Sequence, residues 1–267
     1  MELTILQTLI LGIVQGITEW IPISSSAAIV LILSNFYQIT STEILVRTAL
    51  FFHMGTFLAA LVYFRKDVVE LIKNLFNYKY TDQTQKRTIR FLFISTVVSG
   101  IVGIVLIKTL YSFEDVITLT GKTISFAVGV LLLFTALIQL KIRQGGIKRE
   151  RNLKMNDGIF LGLMQGIAVL PGISRSGITV STLLLKKFDD TTALRLSFLM
   201  SLPIVLIGNI VLNLEDFVFS TTGLYGILAA FVFGLLTIHT LMKLSKKINF
   251  GWFIFIFAIL MMASVLI

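Results

Sequence analysis

Two short stretches carry the residue types that could do chemistry. Glu19 is followed, one to two helical turns later, by Ser24, Ser25 and Ser26 in Pro22-Ile23-Ser24-Ser25-Ser26. Arg175 sits in Pro171-Gly172-Ile173-Ser174-Arg175-Ser176-Gly177, with Thr179 just beyond. A serine hydroxyl becomes nucleophilic only when it is activated, and Glu19 is the nearest base. In the second stretch Gly172 and Gly177 let the backbone turn tightly, while Ser174, Ser176 and Thr179 offer hydroxyls. A helix beginning there would aim free N–H groups and its positive end at the same point. With the guanidinium fork of Arg175 beside them, these groups would make a phosphate cradle. Two plainer readings compete: the serines as helix caps, and Glu19 and Arg175 as a buried structural ion pair. An ion pair alone does not explain the serines and glycines around both charges, and the cap reading does not explain the charges.

Those stretches must be placed by elements that the composition describes well. The chain has 267 residues, 56% hydrophobic and 14% charged, with 3 prolines and no cysteine. A soluble domain carries about 25% charged residues, so a cytosolic enzyme is excluded, as are disulfide-stapled, collagen-like and disordered chains. An all-α polytopic membrane protein remains. Crossing the hydrocarbon core takes about 20 apolar residues, and stretches of that kind run roughly over 44–64, 90–107, 120–140, 194–213, 222–242 and 250–267. Two further apolar segments, roughly 3–33 and 159–185, are interrupted by the two polar stretches. They read as pairs of half-length helices. Met1-Glu2-Leu3 has no basic n-region, which speaks against a cleaved signal peptide.

If both interrupted segments dip into the membrane and return, the loops at 65–90, 141–157, 186–195 and 243–249 share one side and hold 19 of the 23 Lys and Arg. The opposite side keeps Arg47, Lys108 and Lys122, and its loop around Glu215 and Asp216 has no basic residue. The positive-inside rule makes the first set cytoplasmic and places the C-terminus outside. Topology thus explains the net charge of +9, and no nucleic-acid module is present. Between Arg65 and Phe76, apolar Val68, Leu71, Ile72, Leu75 and Phe76 recur at helical spacing beside Lys66, Glu70 and Lys73, a pattern for a short interfacial helix.

Residues 11–26 match residues 161–176 at a constant offset of 150, with Leu11, Gly12, Gln15, Gly16, Ile17, Ile23, Ser24 and Ser26 identical to their counterparts. Each half, about 1–145 and 146–267 of one membrane domain, holds one interrupted segment and three spans. An odd number of crossings inverts the second half, and inverted repeats with broken helices place their site between the halves. Glu19 and Arg175, one from each half, are the charged side chains inside the apolar segments, and such charges need a partner or a task. His53, in Phe51-Phe52-His53-Met54-Gly55-Thr56, could line the same cavity or bond a backbone carbonyl.

The stretch Gln15-Gly-Ile-Thr-Glu19-Trp-Ile-Pro22-Ile-Ser24-Ser25-Ser26, with Pro171-Gly-Ile-Ser174-Arg175-Ser176-Gly-Ile-Thr179, resembles the two signatures of the undecaprenyl-diphosphate phosphatase family of the bacitracin-resistance type. His53-Met-Gly-Thr and Arg195-Leu-Ser-Phe-Leu-Met-Ser-Leu-Pro203 extend the resemblance over essentially the whole chain. It implies a plasma-membrane enzyme with six transmembrane helices and two re-entrant hairpins in an inverted repeat. Such an enzyme hydrolyses a long-chain polyprenyl diphosphate to the monophosphate and inorganic phosphate, recycling the lipid carrier for cell-wall or surface-glycan synthesis. It also implies a site that opens outward, with no oligomeric state fixed. Carried over by motif, Glu19 is the catalytic glutamate, Ser25 the proposed nucleophile, with attack by water assisted by Glu19 as the other route left open, and Arg175 the phosphate-binding arginine. Gln15, Ser24, Ser26, Ser174, Ser176, Thr179 and His53 are the expected substrate-binding set. A divalent cation, Mg or Ca, is the expected inorganic cofactor, with Glu19 as its candidate ligand. Ala28 departs from the pattern, since the family commonly has a histidine there; His53 is the residue that could take over its acid–base task. The competing class is a polyprenyl-phosphate transporter that uses the same cradle without hydrolysis.

Overall fold

Serine begins each of the short helices that follow the polar stretches. The computed structural model describes residues 3–21, 24–39, 41–112, 146–169, 173–213 and 221–244, together with isolated residues of 126–140 and 252–262. Helix α1 (Ile5–Thr18) starts at Thr4, whose side chain accepts the Gln7 N–H while the Gln7 side chain returns to the Thr4 N–H. Helix α2 (Ser25–Leu31) starts at Ser24, whose hydroxyl accepts the Ala27 N–H, and runs on as a wider π turn over Ile32–Phe36. Helix α3 (Thr42–Tyr63) bends by 79° into α4 (Arg65–Phe76). Helix α5 (Gln83–Ser112) is followed, after residues outside the described set, by α6 (Met155–Ile167) and α7 (Arg175–Leu185). Helices α8 (Asp190–Asn213) and α9 (Thr221–Leu244) complete the described elements.

The lengths separate two kinds of helix. At about 1.5 Å per residue, α1 and α6 reach only ~20 Å, short of the ~30 Å hydrocarbon core. Helices α5, α8 and α9 are long and apolar enough to cross a membrane over Gln83–Thr109, Asp190–Ile210 and Thr221–Leu244. The bent pair α3–α4 qualifies as a fourth such element. The spans expected at about 120–140 and 250–267, and the loop around Glu215 and Asp216, lie outside the described residues apart from isolated positions. Pro22, Ile23, Pro171 and Gly172 also lie outside them.

The two halves are interleaved. Helix α1 of the first half packs most extensively on α9 of the second, and α6 of the second packs on α5 of the first. Small residues permit both approaches. A Cβ added at Gly12 would sit inside the Gly226 carbonyl, and one at Gly16 would lie 2.8 Å from the Ala230 carbonyl oxygen. On the other side, a Cβ at Gly162 would lie 2.7 Å from the Val98 Cβ, and one at Gly166 would lie 2.6 Å from the Val102 Cβ. The repeat therefore places glycine at the same register of two related helix contacts. Helices α3 and α8 meet between these pairs, where Phe64, Leu194, Phe198, Leu199 and Leu202 form a core with Trp20, Ile238 and Leu241.

Candidate active site

Helix α1 carries Gln15 on its last turn and ends at Glu19, and α2 starts with Ser25, so the chain returns the serine to the carboxylate it has just left. Ser25 Oγ donates to Glu19 Oε2 at 2.6 Å, and Gln15 Nε2 donates to the same oxygen at 2.9 Å. Helix α3 brings His53, whose Nε2 lies 3.0 Å from Glu19 Oε2 and whose Nδ1 lies 2.6 Å from the Ala49 carbonyl. From the other half, Arg175 at the first position of α7 pairs through Nη2 with Glu19 Oε1. Glu19 is 5% exposed, so four neighbouring polar side chains replace the water it has lost.

Arg175 has a second role available. Its guanidinium stands 5.7 Å above the Trp20 ring, which meets the Phe198 ring edge-on at 4.8 Å. With Nη2 given to Glu19 and the plane resting on Trp20, Nη1 is buried and has no hydrogen-bond partner. Leaving a buried donor unpaired costs about 1–3 kcal/mol, more for a charged one, which is a reason to expect an oxygen-bearing ligand there. Near it, the first-turn amides of Arg175 and Ser176 have no acceptor within α7. An anion placed against Nη1 would also face the positive end of that helix.

The remaining candidates divide by position. Ser174 caps α7 by accepting the Gly177 N–H at 3.1 Å, and its hydroxyl is 3.3 Å from that of Ser176. Ser176 donates to the Ile21 carbonyl at 3.0 Å, tying the start of α7 to the chain just after Glu19. These two serines therefore hold the second polar stretch against the first. Ser24 caps α2, and Ser26 is half-buried, outside the hydrogen-bonded cluster around Glu19. Thr179 differs from its expected place. Its hydroxyl returns to the Arg175 carbonyl at 2.7 Å and meets Ser197 Oγ of α8 at 2.6 Å, in a fully buried position. It pins α7 to α8 and does not reach the carboxylate cluster.

Both plainer readings are present in part: the serines at 24 and 174 are caps, and Glu19 and Arg175 do pair. The pairing leaves one guanidinium nitrogen and one activated serine over. His53 meets the Ala49 carbonyl of its own helix with one ring nitrogen and Glu19 with the other. Trp20 was not among the expected site residues. Its place next to Glu19 was the available signal, but a ring stacked on an arginine 155 positions away is visible only in the fold. The equivalent of Gln15 in the second half, Gln165, donates to Ser99 Oγ at 3.1 Å, and Val169 stands where Glu19 would be. The repeat supplies the frame twice and the carboxylate once.

Glu19 is a poor centre for a protein-held cation. Both of its oxygens face N–H and O–H groups, and no group of three His, Cys, Asp or Glu capable of holding a metal occurs among the described residues. Mg and Ca instead gather about six or more oxygen ligands.

The sequence pattern of the family described as bacitracin resistance protein BacA matches residues 8–263. A protein named undecaprenyl-diphosphatase from Methanococcoides burtonii is 40% identical over 256 residues, covering 94% of each chain. Undecaprenyl-diphosphatase 1 of Shouchella clausii is 35% identical, over 97% of this chain and 95% of its own. The undecaprenyl-diphosphatase of Methanothrix thermoacetophila is 34% identical, over 93% and 92% respectively.

Proposed function

Since the chain belongs to the bacitracin resistance protein BacA family, we propose that it is an undecaprenyl-diphosphatase working through Glu19, Ser25 and Arg175. It is a membrane hydrolase that converts the lipid diphosphate to the monophosphate and inorganic phosphate, returning the carrier for cell-wall synthesis and supporting resistance to bacitracin. The observation that carries the residue assignment is the shared carboxylate: Ser25 donates to one oxygen of Glu19 while Arg175 holds the other.

The diphosphate enters with its terminal phosphoryl group against Arg175 Nη1 and the amides that open α7. Charge stabilisation of this kind usually supplies most of the catalysis in phosphoryl transfer. Glu19 takes the proton from Ser25 Oγ as that oxygen attacks the terminal phosphorus, and the bond from phosphorus to the bridging oxygen breaks. Polyprenyl monophosphate leaves, carrying off the proton that Glu19 had taken, and a phosphoserine remains beside a carboxylate that is again free to act as a base. Water, deprotonated by Glu19, then attacks this phosphorus, releasing inorganic phosphate and restoring the serine. Gln15 and His53 hold Glu19 in line throughout, while Ser174 and Ser176 fix Arg175 by holding the start of α7. The donor set around Glu19 does not fit a protein-held Mg or Ca ion, and none of these steps passes through one. The prenyl chain lies along the apolar faces of the spans.

In the membrane, the reading is of six spans and two re-entrant hairpins, α1–α2 and α6–α7, in an inverted repeat. The Lys- and Arg-rich loops are cytoplasmic, the C-terminus is outside, and the site opens outward. The limited length of the hairpin helices and the exchanged packing of α1 on α9 and α6 on α5 support it. The test is phosphate release from undecaprenyl diphosphate by purified protein in detergent. Release by the wild type and its loss in Arg175→Ala are expected; equal release by both would remove Arg175 from the mechanism.

A further inference from the structure

Helix α4 has a surface that the phosphatase chemistry does not use. The 79° bend after α3 turns it across the end of the spans, and no residue of α4 is buried. Val68 and Leu71 pack against the core formed by Trp20, Phe64 and Phe198. A second apolar strip, Val69, Ile72, Leu75 and Phe76, points away from that core, and Phe76 is 84% exposed. Beside it Arg65, Lys66, Val69, Glu70 and Lys73 form an open face of the helix.

The helix is held rigidly in this attitude. Asp67 in its first turn pairs with Arg195 of α8, which also donates to Glu150 at 2.7 Å. Gln85 Nε2 donates to Glu70 Oε1 at 2.7 Å, so the surface carries Arg65, Lys66 and Lys73 against the one carboxylate of Glu70, a net positive charge. The segment 65–90 holds seven Lys and Arg against three acidic residues. Tyr80, 85% exposed just beyond α4, has Lys79 Nζ 6.0 Å from its ring centroid. An apolar strip edged by cations, with an aromatic side chain at its end, suits the boundary between acyl chains and headgroups.

We propose that α4 lies in the plane of the membrane surface on the basic side of the protein, with Val69, Ile72, Leu75 and Phe76 among acyl chains and Arg65, Lys66 and Lys73 on the phosphate of an anionic phospholipid. The occupant is a lipid because the surface pairs exposed apolar area with positive charge at the end of membrane-spanning helices, and an anionic leaflet offers both complements. A basic residue at such a surface contributes roughly fivefold to binding, so the three together give a preference on the order of a hundredfold.

Two measurements test this. Native mass spectrometry of protein taken from mixed phosphatidylglycerol and phosphatidylcholine micelles should show retained phosphatidylglycerol in excess for the wild type. The triple variant Arg65→Gln, Lys66→Gln, Lys73→Gln should approach parity. Equal retention of both lipids by the wild type, or an unchanged excess in the folded triple variant, overturns the charge argument. The chain has no cysteine, so Phe76→Cys gives a single site for a nitroxide label. In nanodiscs containing phosphatidylglycerol the label should be relaxed by oxygen and shielded from a water-soluble nickel reagent. A label open to the nickel reagent overturns the placement and leaves the face to a protein partner.

Discussion

Replacing Arg175 by lysine keeps the charge and removes the fork. In the wild type, Nη2 is committed to Glu19, the guanidinium carbon stands 5.7 Å from the Trp20 centroid, and Nη1 is a buried donor without a partner, which the proposed mechanism gives to a phosphoryl oxygen. A lysine ammonium is one point on a flexible stem, so it would have to divide its attraction between Glu19 and the phosphate and would lose the planar stacking. Loss of one hydrogen bond to a charged group costs about 1.5–3 kcal/mol. At ~1.4 kcal/mol per decade, that lowers kcat/KM by roughly 10- to 150-fold. Arg175→Ala should fall further, because it also leaves the Glu19 carboxylate without its cation; breaking a buried pair in this way typically costs about 3–5 kcal/mol. The assay is inorganic phosphate release from undecaprenyl diphosphate in detergent, with thermal unfolding of each variant to show that the fold persists. Arg175→Lys turnover within about threefold of wild type, outside the range expected from one lost charged hydrogen bond, would refute the division of labour between Nη1 and Nη2.

Ser25→Ala should lower kcat by more than ~10²-fold and abolish any phosphoserine trapped by acid quench, since the residue donates to Glu19 and is the attacking group of the proposed mechanism. Near-normal turnover would hand the attack to water. His53→Ala takes one of four donors from Glu19 and is expected to reduce kcat about tenfold or more; His53→Gln, which still offers an N–H, should recover part of the loss, and unchanged kcat in both would end the role given to His53. Gly12→Val should lower the melting temperature, because its Cβ meets the Gly226 carbonyl and overpacking of this kind costs about 1–3 kcal/mol. Gly103→Ala, with nothing within 4 Å of the added Cβ, is the control that should leave it unchanged. Thr179→Val should destabilise α7 against α8 while leaving KM close to wild type, because its hydroxyl is spent on Ser197 and the Arg175 carbonyl; a KM raised as far as in Arg175→Lys would put Thr179 back among the substrate contacts.

The helices were legible in the chain wherever one local rule sufficed. The apolar stretch at 44–64 became α3, the amphipathic pattern at 65–76 became α4, and the serine caps set the starts of α2 and α7. The offset of 150 predicted related hairpins, and both polar stretches are flanked by short helices of the expected kind. Six spans were expected; among the described residues three helices qualify, with the bent α3–α4 pair as a fourth. Thr179 was misplaced because spacing along a motif gives the face of a helix only, and its hydroxyl lies on the side that meets α8.

By itself the sequence determined that the protein lives in a membrane, that one motif recurs at an offset of 150, and that Glu19 and Arg175 are the charges needing an explanation. These follow from composition, periodicity and the cost of burying charge, which depend on residue type alone. Tertiary structure decided which oxygen each donor takes, that His53 joins the carboxylate, that the Arg175 guanidinium stands over Trp20, and that one nitrogen of Arg175 is buried without a hydrogen-bond partner. A hydrogen bond is settled within a few tenths of an ångström. Residues more than 150 positions apart reach that precision only after α1 has closed on α9, α6 on α5, and the two polar stretches have met between them.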